Sequence, residues 1–253
     1  MSATEFYDAL APFYHLIYEN WESSIERQGA ALDSVIRKIG HQPLRSVLDV
    51  ACGIGTQSLG LAAHGYQVTG SDISAKAIER ARSESAQRSL SVDFTVADMR
   101  VAHLHHAREF DVVLCADNSL PHLLSDQEIR AALGEFLLCT RPGGLCIVSV
   151  RDYATLERGG VQVKPYGVRV EGSARYVLFQ VWTWRDAVYD VSFYIVHDVG
   201  GSECHTIVVH STYYAISIAD IIRLMESAGF ANVQRIDNNF FQPLVVGVRP
   251  IGA

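Results

Sequence analysis

An apolar run over residues 46–50 breaks at Gly53 and Gly55, and helical spacing of apolar residues resumes after Gln57 with Leu59, Leu61 and Ala62. Few folds accommodate this arrangement. Two glycines at a strand's carboxyl end let the chain turn sharply and let a ligand approach the backbone, because neither carries a Cβ. A second strand, over 67–70, then ends in Asp72. The rhythm continues to residue 150, with strands over 47–50, 67–69, 92–96, 111–114 and 145–150 and helices over 56–64, 75–88 and 126–139. Strands alternating with helices imply an α/β, Rossmann-like parallel sheet with helices on both faces and right-handed crossovers.

The flanks differ. Residues 5–39 read as two helical pieces, one with a stripe of Leu10, Phe13, Tyr14 and Ile17 and one with Ile25, Leu32, Val35, Ile36 and Ile39. Residues 167–214 carry short runs of β-branched and aromatic residues separated by Gly and Asp turns, which predicts an antiparallel β insert. A helix over 217–228 stops at Gly229, and strands over 233–236 and 244–248 follow. The expected organisation is an N-terminal helical lid over 1–42, a Rossmann-like domain over 43–152 and 216–253, and an insert over 153–215.

Composition excludes several classes. With 49% hydrophobic and 19% charged residues the chain is that of a globular protein with a filled core. A net charge of −7 without a basic run argues against nucleic acid as a partner. No stretch is long and apolar enough to cross a membrane, and residues 1–8 lack a basic region leading into an apolar one, so a cytoplasmic location is expected. Five scattered cysteines, odd in number and without Cys-x-x-Cys spacing, read as reduced thiols and not as a zinc site. His103, His105 and His106 have no acidic or cysteine neighbours in sequence and read as a solvated loop, so no metal is expected.

The glycine turn bears on the ligand. A dinucleotide site wants a third glycine where this chain has Ser58, and Asp49, four residues before Gly53, would repel a pyrophosphate while attracting a cation or orienting loop amides. The pattern Asp-x-x-x-Gly-x-Gly resembles motif I of class I S-adenosylmethionine (SAM) methyltransferases. The likeness extends over roughly 200 residues, through Asp72, Ala97-Asp98-Met99, the strand Phe110 to Leu114 and the turn Arg141-Pro142-Gly143-Gly144. It implies a seven-stranded, mostly parallel sheet whose last strand is reversed. SAM is the implied cofactor and S-adenosylhomocysteine (SAH) the product, with Asp49, Ala51, Gly53, Gly55, Asp72, Ile73, Asp98, Met99, Ala116 and Trp21 as cofactor residues.

Ligands of open α/β sheets bind beyond the carboxyl ends of the strands, where the loop Asp117 to His122 must lie. Its Asn118-Ser119-Leu120-Pro121-His122-Leu123 is similar to the loop of glycine and sarcosine N-methyltransferases, and Arg151-Asp152-Tyr153 is similar to that group's Arg-Asn-Tyr. The resemblance implies N-methylation of a small molecule. Asn118 would orient the substrate nitrogen, His122 would line the transfer cavity, and Arg151 and Tyr153 would bind substrate, Arg151 through a carboxylate. The segment Tyr7 to Trp21 resembles the lid of small-molecule methyltransferases, with Tyr14 at the reacting centre and Tyr7 beside the acceptor, whereas Arg27 reads as solvent-facing. Trp182, Trp184 and Tyr194 are expected to roof the acceptor, which would also suit ring N-methylation of a flat heterocycle of the toxoflavin type or an amino sugar.

Blander readings stand beside these. His122 would cap the helix starting near Ser125, Arg151 would pair with Asp152, and the aromatics would be ordinary core. At the level of the whole chain, the competing readings are a non-catalytic SAM-binding module, a nicotinamide dehydrogenase and a metal-assisted O-methyltransferase. The oligomeric state stays open between monomer and dimer.

Overall fold

The structure, a computed structural model, describes residues 1–40, 42–200 and 203–252. The central sheet is built from β1 (Ser46–Asp49), β2 (Gln67–Asp72), β3 (Val92–Val96), β4 (Phe110–Cys115), β5 (Thr140–Ser149), β10 (Ala231–Ile236) and β11 (Leu244–Val248). Their order is β10-β11-β5-β4-β1-β2-β3, and β11 alone runs against the rest. Strand order reverses at β1, which pairs in parallel with both β2 and β4, so a crevice opens beyond the carboxyl ends of β1 and β4.

Both faces of the sheet are covered, which is why its inner strands are continuously apolar. In β4, Val113 and Cys115 pack with Leu133 and Phe136 of α6 (Asp126–Cys139) and Ile221 and Met225 of α7 (Ile218–Ala228). The alternate residues, Val112 and Leu114, pack on the other face with Leu32, Val35 and Ile36 of α2 (Trp21–Ile39) and Leu61 of α3 (Thr56–Ala63). The segment expected to form a lid therefore divides in two. Helix α2 belongs to the sandwich, and only α1 (Ala3–Leu10) and the 3₁₀ turn Ala11–Ile17 cross the crevice. A capping box between Ser2 and Glu5 starts α1, and Asp8 ties it down by accepting from Ser74 Oγ at 2.6 Å at the start of α4 (Ala75–Gln87).

The insert is a four-stranded antiparallel meander of β6 (Val161–Glu171), β7 (Ala174–Arg185), β8 (Val188–Asp198) and β9 (His205–Tyr214). Its inner face presents Leu178, Gln180, Trp182, Tyr189, Val191, Phe193, Val209 and Tyr213, and the apolar ones among them close over Phe6 and Leu10 of α1. One reading is corrected: residues 102–106 form a short helix, α5 (Ala102–His106), and not a loop, with His106 bonded to Ser71 Oγ at 3.2 Å and His105 to Thr95 Oγ1 at 3.0 Å. Half-burial and the neighbouring His105 push the His106 imidazole down to about 4, so it is neutral at pH 7.

Candidate active site

The turn after β1 is held from both sides. The amide of Val50 donates to the Leu114 carbonyl at 2.9 Å and that of Cys52 to Ser71 at 3.0 Å. Gly53 and Gly55 then take φ of 53° and 94°, the left-handed region open to residues without Cβ. Asp72 receives the Gly53 amide on Oδ2 and the Ser74 amide on Oδ1, both at 2.9 Å, which locks the loop to the end of β2. Burial raises its carboxyl pKa, and the two amides pull it back. Asp49 is wholly buried; its Oδ2 accepts from Ser58 Oγ at 2.7 Å, Oδ1 has no protein partner, and burial pushes its pKa to about 7.

These elements wall a cavity of about 320 Å³. Of the expected residues it gathers Tyr7, Tyr14, Ala51, Gly53, Asp72, Ile73, Asp98, Met99 and His122. Four expected cofactor residues do not line it. Asp49 sits beneath the turn, Gly55 forms the N-cap of α3, and Ala116 is buried in the sheet's core. Trp21 stands behind the turn: its Nε1 donates to Thr56 Oγ1 at 2.8 Å and its ring packs with Ile25, Ile54 and Leu59, so it braces the glycine turn.

Beyond β4 the chain enters an unusual turn. Asp117 and Asn118 have consecutive φ of 54° and 62°, a conformation Asp and Asn tolerate best among residues with a side chain. Amide bonds from Asp117 to Ser149 Oγ (2.8 Å) and from Asn118 to the Ser149 carbonyl (3.0 Å) fix it to β5. Asn118 Oδ1 accepts the Arg151 amide at 3.1 Å and the Tyr153 hydroxyl at 3.0 Å, which identifies Nδ2 as its free atom, buried and unpartnered. His122 joins distant elements, with Nε2 2.6 Å from Tyr7 Oη and Nδ1 3.3 Å from Ser211 Oγ. It caps no helix, since Ser125 itself caps α6. Burial and the Arg151 charge push its pKa down to about 3, leaving a neutral imidazole.

Arg151 lies with its guanidinium 3.3 Å from Tyr189 Oη and 5.4 Å over the Trp182 ring. Among the described residues no carboxylate stands within 4.0 Å of it, and Asp152, the anticipated partner, pairs instead with Arg235 at 2.7 Å. Together with Tyr7, Tyr14, Asp117, Asn118, Tyr166, Gln180, Phe193 and Tyr213, Arg151 encloses a small inner chamber. Burial raises the phenol pKa of Tyr7, Tyr14 and Tyr213 well above 10, so all three present neutral hydroxyls.

The aromatic roof differs from expectation. Trp182 and Trp184 face inward but pack on Tyr189 at 4.6 and 4.8 Å, behind the chamber wall. Tyr194 points to the opposite face of the insert, stacked on Phe179 at 4.7 Å, because side chains alternate along β8. Sequence reasoning missed Tyr166, Gln180 and Tyr213. Their alternation was visible, but nothing local says which face of a strand meets a cavity.

Comparison with known proteins agrees with this architecture. The model of a methyltransferase domain matches residues 47–144. The glycine/sarcosine N-methyltransferase of Parasynechococcus marenigrum is 33% identical over 145 residues, 57% of this chain and 50% of that one. The dTDP-3-amino-3,6-dideoxy-alpha-D-glucopyranose N,N-dimethyltransferase of Streptomyces fradiae is 32% identical over 140 residues, 55% and 52% of the two chains. The matched segment thus spans about half the length of these curated relatives. The solved CcbJ methyltransferase from Streptomyces caelestis shares the fold over 99% of this chain and 100% of its own, with a TM-score of 0.80 at 18% identity. DesVI from Streptomyces venezuelae does so over 98% and 99%, at 0.78 and 19%. The fold is the one these solved methyltransferases share. Within that fold, residues 47–144 carry the match to a methyltransferase domain.

Proposed function

We propose that this chain transfers a methyl group from SAM to the nitrogen of a small acceptor that carries a carboxylate. The observation that carries this reading is Arg151, a half-buried guanidinium with no carboxylate within 4.0 Å among the described residues, set in the inner chamber. A guanidinium stays charged even when buried and binds a carboxylate through two parallel hydrogen bonds.

The cavity residues suit the cofactor. Asp72 is a buried acceptor for a ribose diol, Ile73 and Met99 offer apolar surface for an adenine, and the rings of Tyr7 and Tyr14 suit a sulfonium. When bound, SAM supplies an electrophilic methyl on positively charged sulfur. Asn118 then takes a role different from the one expected. With Oδ1 engaged twice, its free Nδ2 donates, so it serves an acceptor oxygen and not an amine proton. The Arg151 charge favours the neutral amine, which holds the lone pair the displacement needs. The segment Ala3–Ile17 excludes water from this path.

Transfer of labelled methyl to glycine and sarcosine, set against methylamine, tests the assignment. The acids are expected to react and methylamine to react poorly. Arg151→Ala is expected to raise KM for the acids about 30-fold or more while leaving SAH affinity unchanged. Equal KM values with and without the acceptor carboxylate would remove Arg151 from substrate binding. Loss of SAH binding in Asp72→Ala tests the cofactor half independently.

A further inference from the structure

The inner chamber lies between two larger spaces. It shares Tyr7 and Tyr14 with the cofactor cavity, and Ile17, Asp117, Arg151 and Tyr166 with a third cavity of about 690 Å³. The chamber holds only about 40 Å³, where about 10–15 Å³ on the same measure admits one water. That space suits the reacting head of an acceptor and leaves its remainder outside. An in-line displacement brings the nucleophile from the side opposite the leaving sulfur, and away from the cofactor cavity the chamber meets the wide cavity at those four shared residues.

The outer wall of the wide cavity is the connector between β10 and β11. Gln242 anchors it to the floor of the site, bonded to Ser149 Oγ at 3.1 Å and to Asp117 Oδ1 at 3.5 Å. Just before this anchor, Phe241 is 55% exposed, more open than any other Phe, Tyr or Trp among the described residues, and its ring lies 4.5 Å from that of Phe240. An apolar ring left in solvent at a cavity wall, on a connector tied to the active site, is a surface available for stacking.

We propose that the wide cavity seats the remote part of the acceptor, and that Phe240 and Phe241 form a platform for a flat ring carried on it. The acceptor class is then an amino acid with a ring-bearing side chain, its amine and carboxylate in the chamber. This rests on the methyl-transfer reading above, which it narrows.

The test is calorimetric binding of glycine, L-phenylalanine and L-tryptophan to the SAH-loaded protein and to its Phe241→Ala variant, with labelled methyl transfer measured in parallel. The ring-bearing acids are expected to bind at least tenfold more tightly than glycine, and Phe241→Ala to reduce that preference about fivefold. Equal affinities, no binding of either ring-bearing acid, or an unchanged preference in the variant overturn the platform. If the ring-bearing acids bind through Phe241 but accept no methyl, the platform stands and the methyl-transfer reading falls. If glycine is methylated while Phe241 proves indifferent to every acceptor, the reverse holds.

Discussion

Replacing Asp49 by Asn is expected to remove a pH dependence from the protein's stability. The side chain is wholly buried, accepts one hydrogen bond from Ser58, and leaves Oδ1 without a protein partner. Its pKa is about 7 in the fold against an ordinary 3.8. The sign follows from proton counting. Between those two values the native state holds a proton that the unfolded chain has released, so stability falls as pH rises through this window, and the penalty is complete above pH 7. At about 1.4 kcal/mol per pH unit, wild type loses about 2–3 kcal/mol between pH 5 and pH 8 through this one group, and the variant does not. Asn brings its own cost, an amide N–H without a partner at about 1–3 kcal/mol, but that cost is the same at both pH values and drops out of the comparison. Urea unfolding of both proteins at pH 5 and pH 8 is the assay. A stability difference that stays flat across the two pH values would refute the reasoning, since it would show that Asp49 ionises in the fold as easily as in water.

Three further outcomes are expected. Gly60→Ala places a Cβ 2.5 Å from the Ile25 carbonyl oxygen and 2.8 Å from Gly29 Cα, both backbone atoms, so α2 and α3 must separate; a loss of about 1–3 kcal/mol in chemical denaturation is anticipated. Trp21→Phe removes the bond to Thr56 and is expected to lower stability by about 1 kcal/mol and to weaken SAH binding through the loosened glycine turn, both readable in thermal melts with and without SAH. His122 has a folded pKa near 3 against an ordinary 6.5, so the unfolded chain binds the proton first and stability falls as pH drops below 6.5. Wild type is expected to lose about 1–2 kcal/mol more than His122→Asn between pH 7 and pH 5. Matching losses would show a histidine that titrates normally.

Much of this molecule was legible along the chain. The strand, glycine turn and helix around Gly53 form a local unit, and alternation of apolar runs with helical spacing led to the parallel sheet, including the reversed β11 that the family resemblance implied. Asp72 and Met99 end up lining the cavity beside the glycine turn because residues at the carboxyl ends of parallel strands must cluster at one edge. The acceptor side was much less legible. His122 acquires its partners from Tyr7 and Ser211, 115 and 89 positions away, and the Arg151 guanidinium meets Tyr189 across 38. Trp21 turned out to be a brace, Tyr194 faced away, and Tyr213 came in unannounced. Residue spacing along a strand or helix determines which side chains share a face. Only packing one element against another decides which face closes a chamber and which meets solvent, because burial is a property of the surfaces that touch and not of the sequence that carries them.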